Sequence, residues 1–340
     1  MIVTYLFRSP GTGYSIEGVF NSLLPEIKRQ PDVLPMAISL PFISQGLRSV
    51  WRNLRFVARL KANVVHVTGD VHYAVLALPR ARTILTIHDC ITLKNNHNRP
   101  LRYAIFWLLW YYLPIRQAAV VTVVSEKTRQ ELIQYVGPIA RKAIVVSNSY
   151  DSALAYQPAS VQNEPPVLLQ IGTAPHKNLA RLLAAIEGIR CRLIIIGPLT
   201  EILIDNLKQR RIDYRNYVNL DRTDVVQGYI DCDIVTFVST YEGFGMPILE
   251  ANAIGRPVIT SDVSPMREVA GGAAHLVDPT DVAAIRQGVL QLIHDATYRQ
   301  RLVNAGLKNA RRYTTKAIAE QYVGLYKQLD QRKLSTQSVS

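Results

Sequence analysis

The sequence predicts an α/β protein of two doubly wound domains, each built on a parallel sheet covered by helices. Three observations carry this expectation. Short β-branched runs alternate with helical stretches along all 340 residues. The runs TILTI (83–87) and RLIII (192–196) are apolar on both faces, as strands of a covered parallel sheet must be. The Pro-rich, aperiodic segment YQPASVQNEPP (156–166) separates two strand–helix series, and the length suits two domains at roughly 100–200 residues each.

In the first series, strands are expected at 2–7, 33–40, 64–67, 83–87, 120–125 and 143–147, with helices near 15–29, 46–61, 101–117 and 126–136. The second series places strands at 167–171, 192–196, 234–238, 257–260 and 274–277, with helices near 178–188, 200–211, 246–254 and 281–296. A last amphipathic helix, 314–329, carries Ile318, Tyr322, Leu325 and Leu329 on one stripe. The expected division is an N-terminal domain 1–156, a linker 157–166, a C-terminal domain 167–310, and a helix 311–330 that could pack back on the N-terminal domain.

With 48% hydrophobic and 19% charged residues, the chain has the composition of a folded protein rather than a disordered one. Cys90, Cys191 and Cys232 are odd in number and far apart, which argues against a disulfide framework and fits a reducing compartment. With no CxxC or Cys/His cluster, no structural zinc site is expected. The longest apolar run, 104–115, has twelve residues, short of the ~20 that span a bilayer. The N-terminus, MIVTYLF before Arg8, is too short for a signal-peptide core, so a cytoplasmic protein is expected.

Net charge is +13, and residues 1–163 hold 18 Lys/Arg against 8 Asp/Glu, so +10 of it lies in the first half. Such a field attracts an anionic partner: nucleic acid, a lipid head group or a phosphorylated substrate. In GLRSVWRNLRFVARLK (46–61), Arg48, Arg52, Arg55 and Arg59 fall along one helical line, opposite Leu47, Val50, Trp51, Leu54, Val57 and Ala58. A basic stripe opposite an apolar face suits an interfacial helix, and equally a core-facing helix with a solvated stripe.

The chemistry concentrates in STYEGFGMPILEANAIGRPVITSD (239–262). A buried strand ends in a Gly243-Phe244-Gly245 turn, and a helix follows with Pro247 in its first turn, where a missing N–H costs nothing. The glycines let backbone amides approach a phosphate or sugar oxygen at a positive helix end. Glu242 and Glu250 flank that turn as acceptors for several sugar or ribose hydroxyls. Upstream, in QIGTAPHKNLA (170–180), Gly172 permits a tight turn and Lys177 stands ahead of a helix, a sound place for a diphosphate. His88 closes the strand TILTI and is followed by Asp89, a position typical of ligand clefts. Gly11, Thr12 and Gly13 form a weak loop signal after the first strand.

The E-x7-E spacing within EGFG-M-P-xx-E resembles the GT-B retaining glycosyltransferases of family 4, whose motif reads EGFGLPxxEAMAxGxPVxxS. REVAGGAAHLVDP (267–279) is similar to the family's PEVxGxAAxLVDP. The resemblance covers the C-terminal half and, more loosely, the N-terminal half. It implies two facing Rossmann-like domains with a cleft between them, and retention of anomeric configuration. It implies a nucleotide-diphosphate-sugar donor held by Gly172, Thr173, Lys177, Gly243, Phe244, Gly245 and Glu250. Glu242 and His88 are the implied catalytic pair, with Lys177 on the diphosphate, Glu250 on the ribose and His88 facing the sugar. The family's arginine before the lysine is absent, Thr173 and His176 standing in its region. In VVSNSYD (145–151) only Asn148 and Asp151 match the family's VIPNGVD.

The expected function is sugar transfer to a lipid-linked or saccharide acceptor, such as a polyprenyl-diphosphate-linked saccharide, in cell-surface polysaccharide assembly. Contact with the inner face of an anionic membrane is compatible with it. Asp231-Cys-Asp233 reads as a turn before a strand, so no metal is expected, and no cofactor beyond the donor substrate. The alternatives are a nucleic-acid-binding protein, which lacks a recognition module, or a catalytically idle membrane-associated scaffold, against which both glutamates and Lys177 argue. A phosphorylase would typically be longer, and an epimerase needs a YxxxK pair.

Overall fold

A computed structural model describes residues 1–12, 15–158 and 164–337. The chain divides into two compact units, one of Met1–Ser149 joined by the helix Thr315–Gln337, the other Tyr150–Thr314.

The N-terminal unit has six parallel strands, β1 (Ile2–Phe7), β2 (Leu34–Ser39), β3 (Val64–Val67), β4 (Thr83–Ile87), β5 (Val120–Val123) and β6 (Ile144–Val145), in the order β2-β1-β3-β4-β5-β6. β3 and β4 are buried at every residue because one cluster (Leu6, Val65, Leu85, Ile115) and another (Val3, Tyr5, Phe20, Ile84) pack the sheet. The helix Thr315–Gln337 completes the second cluster with Ile318, Tyr322, Tyr326 and Leu329, while Leu325 is only partly buried.

The C-terminal unit has β7 (Val167–Ile171), β8 (Arg192–Ile196), β9 (Asp213–Tyr217), β10 (Ile234–Phe237), β11 (Val258–Ser261) and β12 (His275–Val277), all parallel, in the order β12-β11-β10-β7-β8-β9. The order reverses between β7 and β10, where a doubly wound sheet presents its ligand crevice.

Several elements differ from the sequence-based expectation, for identifiable reasons. The expected helix 101–117 is Pro100–Phe106, then π-helical Trp107–Tyr112, then Leu113–Gln117. Pro114 has no N–H for the Trp110 carbonyl four residues back, and His72 Nδ1 donates to that oxygen instead, at 2.8 Å. β9 was not expected: it is a polar edge strand, DYRNY, with little buried surface. The helix Ala296–Ala310 packs on its neighbour through Gly306 and Asn309 rather than a leucine stripe, with Asn309 Nδ2 donating to Asn252 Oδ1 at 3.0 Å. The helix Arg222–Asp231 likewise turns Gly228 toward Ile196 and Leu169 of the sheet.

The units divide at 149/150 and 314/315 instead of at 156 and 310, because Tyr150–Pro158 belongs to the C-terminal unit. Gln157 N–H donates to the Ile254 carbonyl and Tyr156 packs on Gly255, where any Cβ would lie 2.6 Å from its ring.

In the helix Gly46–Val57 the buried face is Val50, Asn53, Leu54 and Val57, with Asn53 donating to the Phe42 carbonyl and the Tyr73 hydroxyl. Leu47 and Trp51, expected on the apolar side, are 87% and 56% exposed, between that face and the exposed arginines.

Candidate active site

In the C-terminal unit the motif after β7 meets the motif after β10. Gly172 has φ +86°, and a Cβ there would lie 2.9 Å from Lys177 Cε, so glycine is required both by conformation and by the approach of the lysine. Asn178, in the left-handed region at φ 63°, precedes the helix Leu179–Ile186. Its buried amide donates to the Val238 carbonyl at 2.9 Å and the Pro279 carbonyl at 2.7 Å, tying the loop to the ends of β10 and β12. Thr240 N–H donates to the His176 carbonyl at 2.8 Å. These ties bring Lys177 Nζ to 2.7 Å from Glu242 Oε1 and 4.9 Å from the Phe237 ring centre. The two side chains remain 19% and 15% exposed, so the pair is screened from bulk water but reachable.

After Glu242 the chain turns through Gly243, Phe244 and Gly245 into the helix Met246–Ile254. Phe244 is buried edge-on to Tyr313, and Gly245 holds φ +141°. Every residue from Pro247 to Ile254 is buried, including Glu250. A buried carboxylate must be paired. Tyr229 Oη donates to Glu250 Oε2 at 2.5 Å and Arg222 Nη2 to Oε1 at 2.8 Å, while Arg222 Nε donates to Asp151 Oδ2 at 2.9 Å. Burial pushes the Tyr229 hydroxyl far above its ordinary range, reinforced by Glu250, so it remains a neutral donor. Burial works against the Arg222 charge, but Glu250 and Asp151 outweigh it and hold the guanidinium protonated.

Thus Gly172, Lys177, Glu242, Gly243, Phe244, Gly245 and Glu250 belong to two loops and one helix of the same unit. The Thr173 hydroxyl donates to the Pro198 carbonyl at 2.5 Å, which leaves its oxygen as an acceptor only. Asn178, Arg222 and Tyr229 were not read as site residues. Arg222 and Tyr229 reach Glu250 from a helix twenty or more positions upstream, a proximity with no local signature.

Asp231 and Asp233 have structural partners: Gln227 donates to the first and Val167 N–H to the second. Among the described residues no group of three or more His, Cys, Asp or Glu side chains is placed to hold a metal. An open groove of about 820 Å³ lies over β8 and β9, lined by Ile194, Arg215, Tyr217 and Gln227; of the 239–262 motif it includes Arg256 but none of the expected donor-site residues.

In the N-terminal unit His88 follows β4. Its Nε2 donates to the Thr68 carbonyl at 2.7 Å, which leaves Nδ1 as the lone-pair nitrogen. Burial lowers its pKa, partly countered by that carbonyl and by Asp70 and Asp89, so the ring is neutral. Gly69 makes room for it: a Cβ there would lie 2.7 Å from the imidazole. Arg8, bonded to Glu17 and Asp70, braces the adjoining loop. Of the loop at 11–13, Gly11 has φ +81° and Thr12 donates to the Ser9 carbonyl, while Gly13 lies outside the described residues.

Two family models match. "Glycosyl transferases group 1" covers residues 156–309 and "Glycosyltransferase Family 4" covers residues 13–154. Together with the two parallel sheets they define the class: the chain is a glycosyltransferase of the GT-B fold. It is 28% identical over 273 residues to O-antigen chain mannosyltransferase B of Escherichia coli, covering 73% of this chain and 71% of that one. In fold it is similar to Alr3699/HepE of Anabaena in complex with UDP and glucose, with TM-score 0.77, 17% identity, and 96% and 100% of the two chains covered. A sucrose-phosphate synthase of Thermosynechococcus elongatus gives TM-score 0.78 at 15% identity, with 97% and 99% covered.

Proposed function

We propose that this chain is a retaining, metal-independent transferase that moves a sugar from a nucleotide-diphosphate donor to a lipid-linked or saccharide acceptor in cell-surface polysaccharide assembly. The observation that carries the reading is the Lys177–Glu242 pair beside the glycine turn, with Glu250 on the helix that follows. In transfer, the bond between the anomeric carbon and the diphosphate oxygen breaks. The acceptor oxygen takes the carbon, and its proton passes to the departing diphosphate. Lys177 neutralises the charge developing on that diphosphate. Glu242 and the amides of Gly243, Phe244 and Gly245 position the sugar, and the remaining lone pairs of Glu250 accept the ribose hydroxyls. His88 offers its Nδ1 lone pair to a sugar hydroxyl. A relative named as a mannosyltransferase makes mannose the first sugar to test.

The acceptor in this reading is a polyprenyl-diphosphate-linked saccharide, reached by a cytoplasmic protein at the inner face of the membrane. Residues 33–125 support it, with 11 Lys/Arg against only Asp70 and Asp89. The exposed Leu47 and Trp51 beside exposed Arg48, Arg52 and Arg55 have the composition of an interfacial helix. No described helix is long and apolar enough to cross a membrane.

A thermal-shift panel of GDP-, UDP-, ADP- and dTDP-sugars, followed by NMR of the transferred product, tests the proposal. A shift with at least one donor, a product of unchanged anomeric configuration and full activity in chelator are expected. No shift with any donor, an inverted product or chelator-sensitive turnover would overturn it.

A further inference from the structure

Arg222 has no role in the donor site as described above, and its placement breaks a local rule. It opens the helix Arg222–Asp231, directly after the capping Asp221, where the helix dipole disfavours a cation. The guanidinium is nevertheless pinned from two sides, by Asp151 through Nε and by Glu250 through Nη2, while 43% of the side chain stays exposed. Arginine carries five N–H donors, and those not given to Asp151 and Glu250 have no protein partner among the described residues. A planar donor array is therefore held rigid and left partly unspent.

The charge around it narrows what it can bind. Asp151, Arg222 and Glu250 together carry one net negative charge, so this end of the site repels phosphate. The Lys177–Glu242 pair has no such excess and is the diphosphate end. A neutral acceptor fits the Arg222 end. The nucleobase is a neutral part of a nucleotide-sugar that bears acceptor atoms, and it is attached to the ribose that Glu250 would hold, on the side away from the diphosphate.

We propose that Arg222 reads the nucleobase of the donor, donating its unpaired N–H groups to a base carbonyl oxygen. This rests on the donor-site reading above. Guanine, uracil and thymine present such an oxygen, whereas adenine has no carbonyl and sets an amino group, a donor, beside its acceptor ring nitrogens. Arg222 thus selects oxo-base nucleotides over adenine nucleotides.

Calorimetry of the full chain with GDP, UDP, dTDP and ADP tests this without any sugar or acceptor. The wild type binds its preferred oxo-base nucleotide roughly tenfold or more tighter than ADP. Arg222→Ala and Arg222→Gln bring that ratio to within about threefold by weakening the oxo-base nucleotides, with ADP nearly unchanged. Two variants guard against one that fails to fold. Lys177→Ala weakens all four nucleotides alike and leaves the ratio intact. An unchanged ratio in both Arg222 variants, an equal loss for ADP, or a wild type that prefers ADP overturns the assignment and leaves the donor site standing if Lys177→Ala still weakens binding. A wild type that binds no nucleotide overturns both.

Discussion

In the N-terminal unit, buried His66 lies between the Tyr326 hydroxyl, 2.9 Å from Nδ1, and the Thr86 hydroxyl, 2.6 Å from Nε2. Tyr5 donates to Tyr326, and Thr86 pairs with Thr122, so the buried bonds between the helix Thr315–Gln337 and the sheet run through neutral groups, while its charged Lys327 and Asp330 meet Asp32 and Asn63 at the rim. Burial lowers the His66 pKa to about 3 and raises Tyr322 and Tyr326 above their ordinary range. In the C-terminal unit, the motif side chains after the strands include two shielded ion pairs beside the neutral Asn178: Lys177 with Glu242, and Glu250 with Arg222. Every hydrogen-bonding nitrogen of His66 is used, whereas Arg222 and the carboxylates retain unspent valence. A closed neutral network fixes architecture, and an open ionic one is ready for a ligand.

The sharpest test of that contrast is Glu242→Gln. We expect turnover to fall a hundredfold or more, the usual order for losing one group that orders a transition state, while stability changes by less than about 1 kcal/mol because the ion pair is partly solvated. A near-wild-type rate removes Glu242 from the catalytic set. If the melting temperature collapses instead, the pair is architecture and the contrast fails.

Acid should act first on the neutral network. Burial holds His66 down at about 3 and His72 at about 4, against an ordinary 6.5, with Asp70 partly opposing the shift of His72. Because these folded values lie below the unfolded one, the unfolded chain takes up protons that the folded chain refuses. Stability is then intact above 6.5 and is lost as the pH falls toward 4. At about 1.4 kcal/mol per pH unit per group, the two histidines cost about 3 kcal/mol by pH 5.5. Asp89, whose carboxyl burial pushes up, offsets part of this. All three tryptophans, Trp51, Trp107 and Trp110, lie in the N-terminal unit, so their fluorescence reports on it alone. Urea midpoints from fluorescence should fall between pH 6.5 and 5.5, and replacing His66 or His72 by Gln should flatten that fall. A pH-independent midpoint would sink the idea.

Donor binding comes next in size. Glu250→Ala should weaken the nucleotide-sugar roughly tenfold, as should Lys177→Ala, measured by calorimetry. Glu250→Ala also strips Tyr229 and Arg222 of a partner, so it should lower the melting temperature as well, whereas Lys177→Ala should not. Equal donor affinity in all three proteins would end the donor-site assignment.

The sequence made the site legible where its geometry is local. Gly172 to Lys177 is a single turn and Glu242 to Glu250 a turn and a helix, so spacing relates the candidate groups within each motif, while the meeting of Lys177 with Glu242 is a tertiary crossing. Asp151, Arg222 and Tyr229 converge on Glu250 through tertiary crossings, and no spacing reports that. Fold legibility follows the same division. The covered strands were readable because both their faces are apolar. β9 was not, because an exposed edge strand carries Asp213, Arg215 and Asn216. Ala296–Ala310 was missed because its contact is made by Gly306 and Asn309, and the expected helix 101–117 is present, its π-helical middle being what spacing does not report, where Pro114 leaves the Trp110 carbonyl to His72.

The smallest expected effect, taken one residue at a time, lies on the surface of the N-terminal unit. Arg48, Arg52, Arg55 and Arg59 have no carboxylate partner among the described residues; Arg52 lies 3.8 Å from the Phe42 ring centre and Arg55 4.7 Å from that of Trp51. Replacing one of them by Gln should leave folding and donor affinity unchanged. A basic side chain near an anionic bilayer contributes about 1 kcal/mol, so each replacement should lower sedimentation with phosphatidylglycerol vesicles about fivefold at low salt. The effect should fade as salt shortens the screening length. Trp51→Ser should weaken binding at high salt too, because its contribution is apolar. Charge-reversing the Lys177 loop of the other unit should do neither. If sedimentation ignores both the arginines and Trp51, the stripe is ordinary solvated surface, and the two units differ only in how they bury their polar groups.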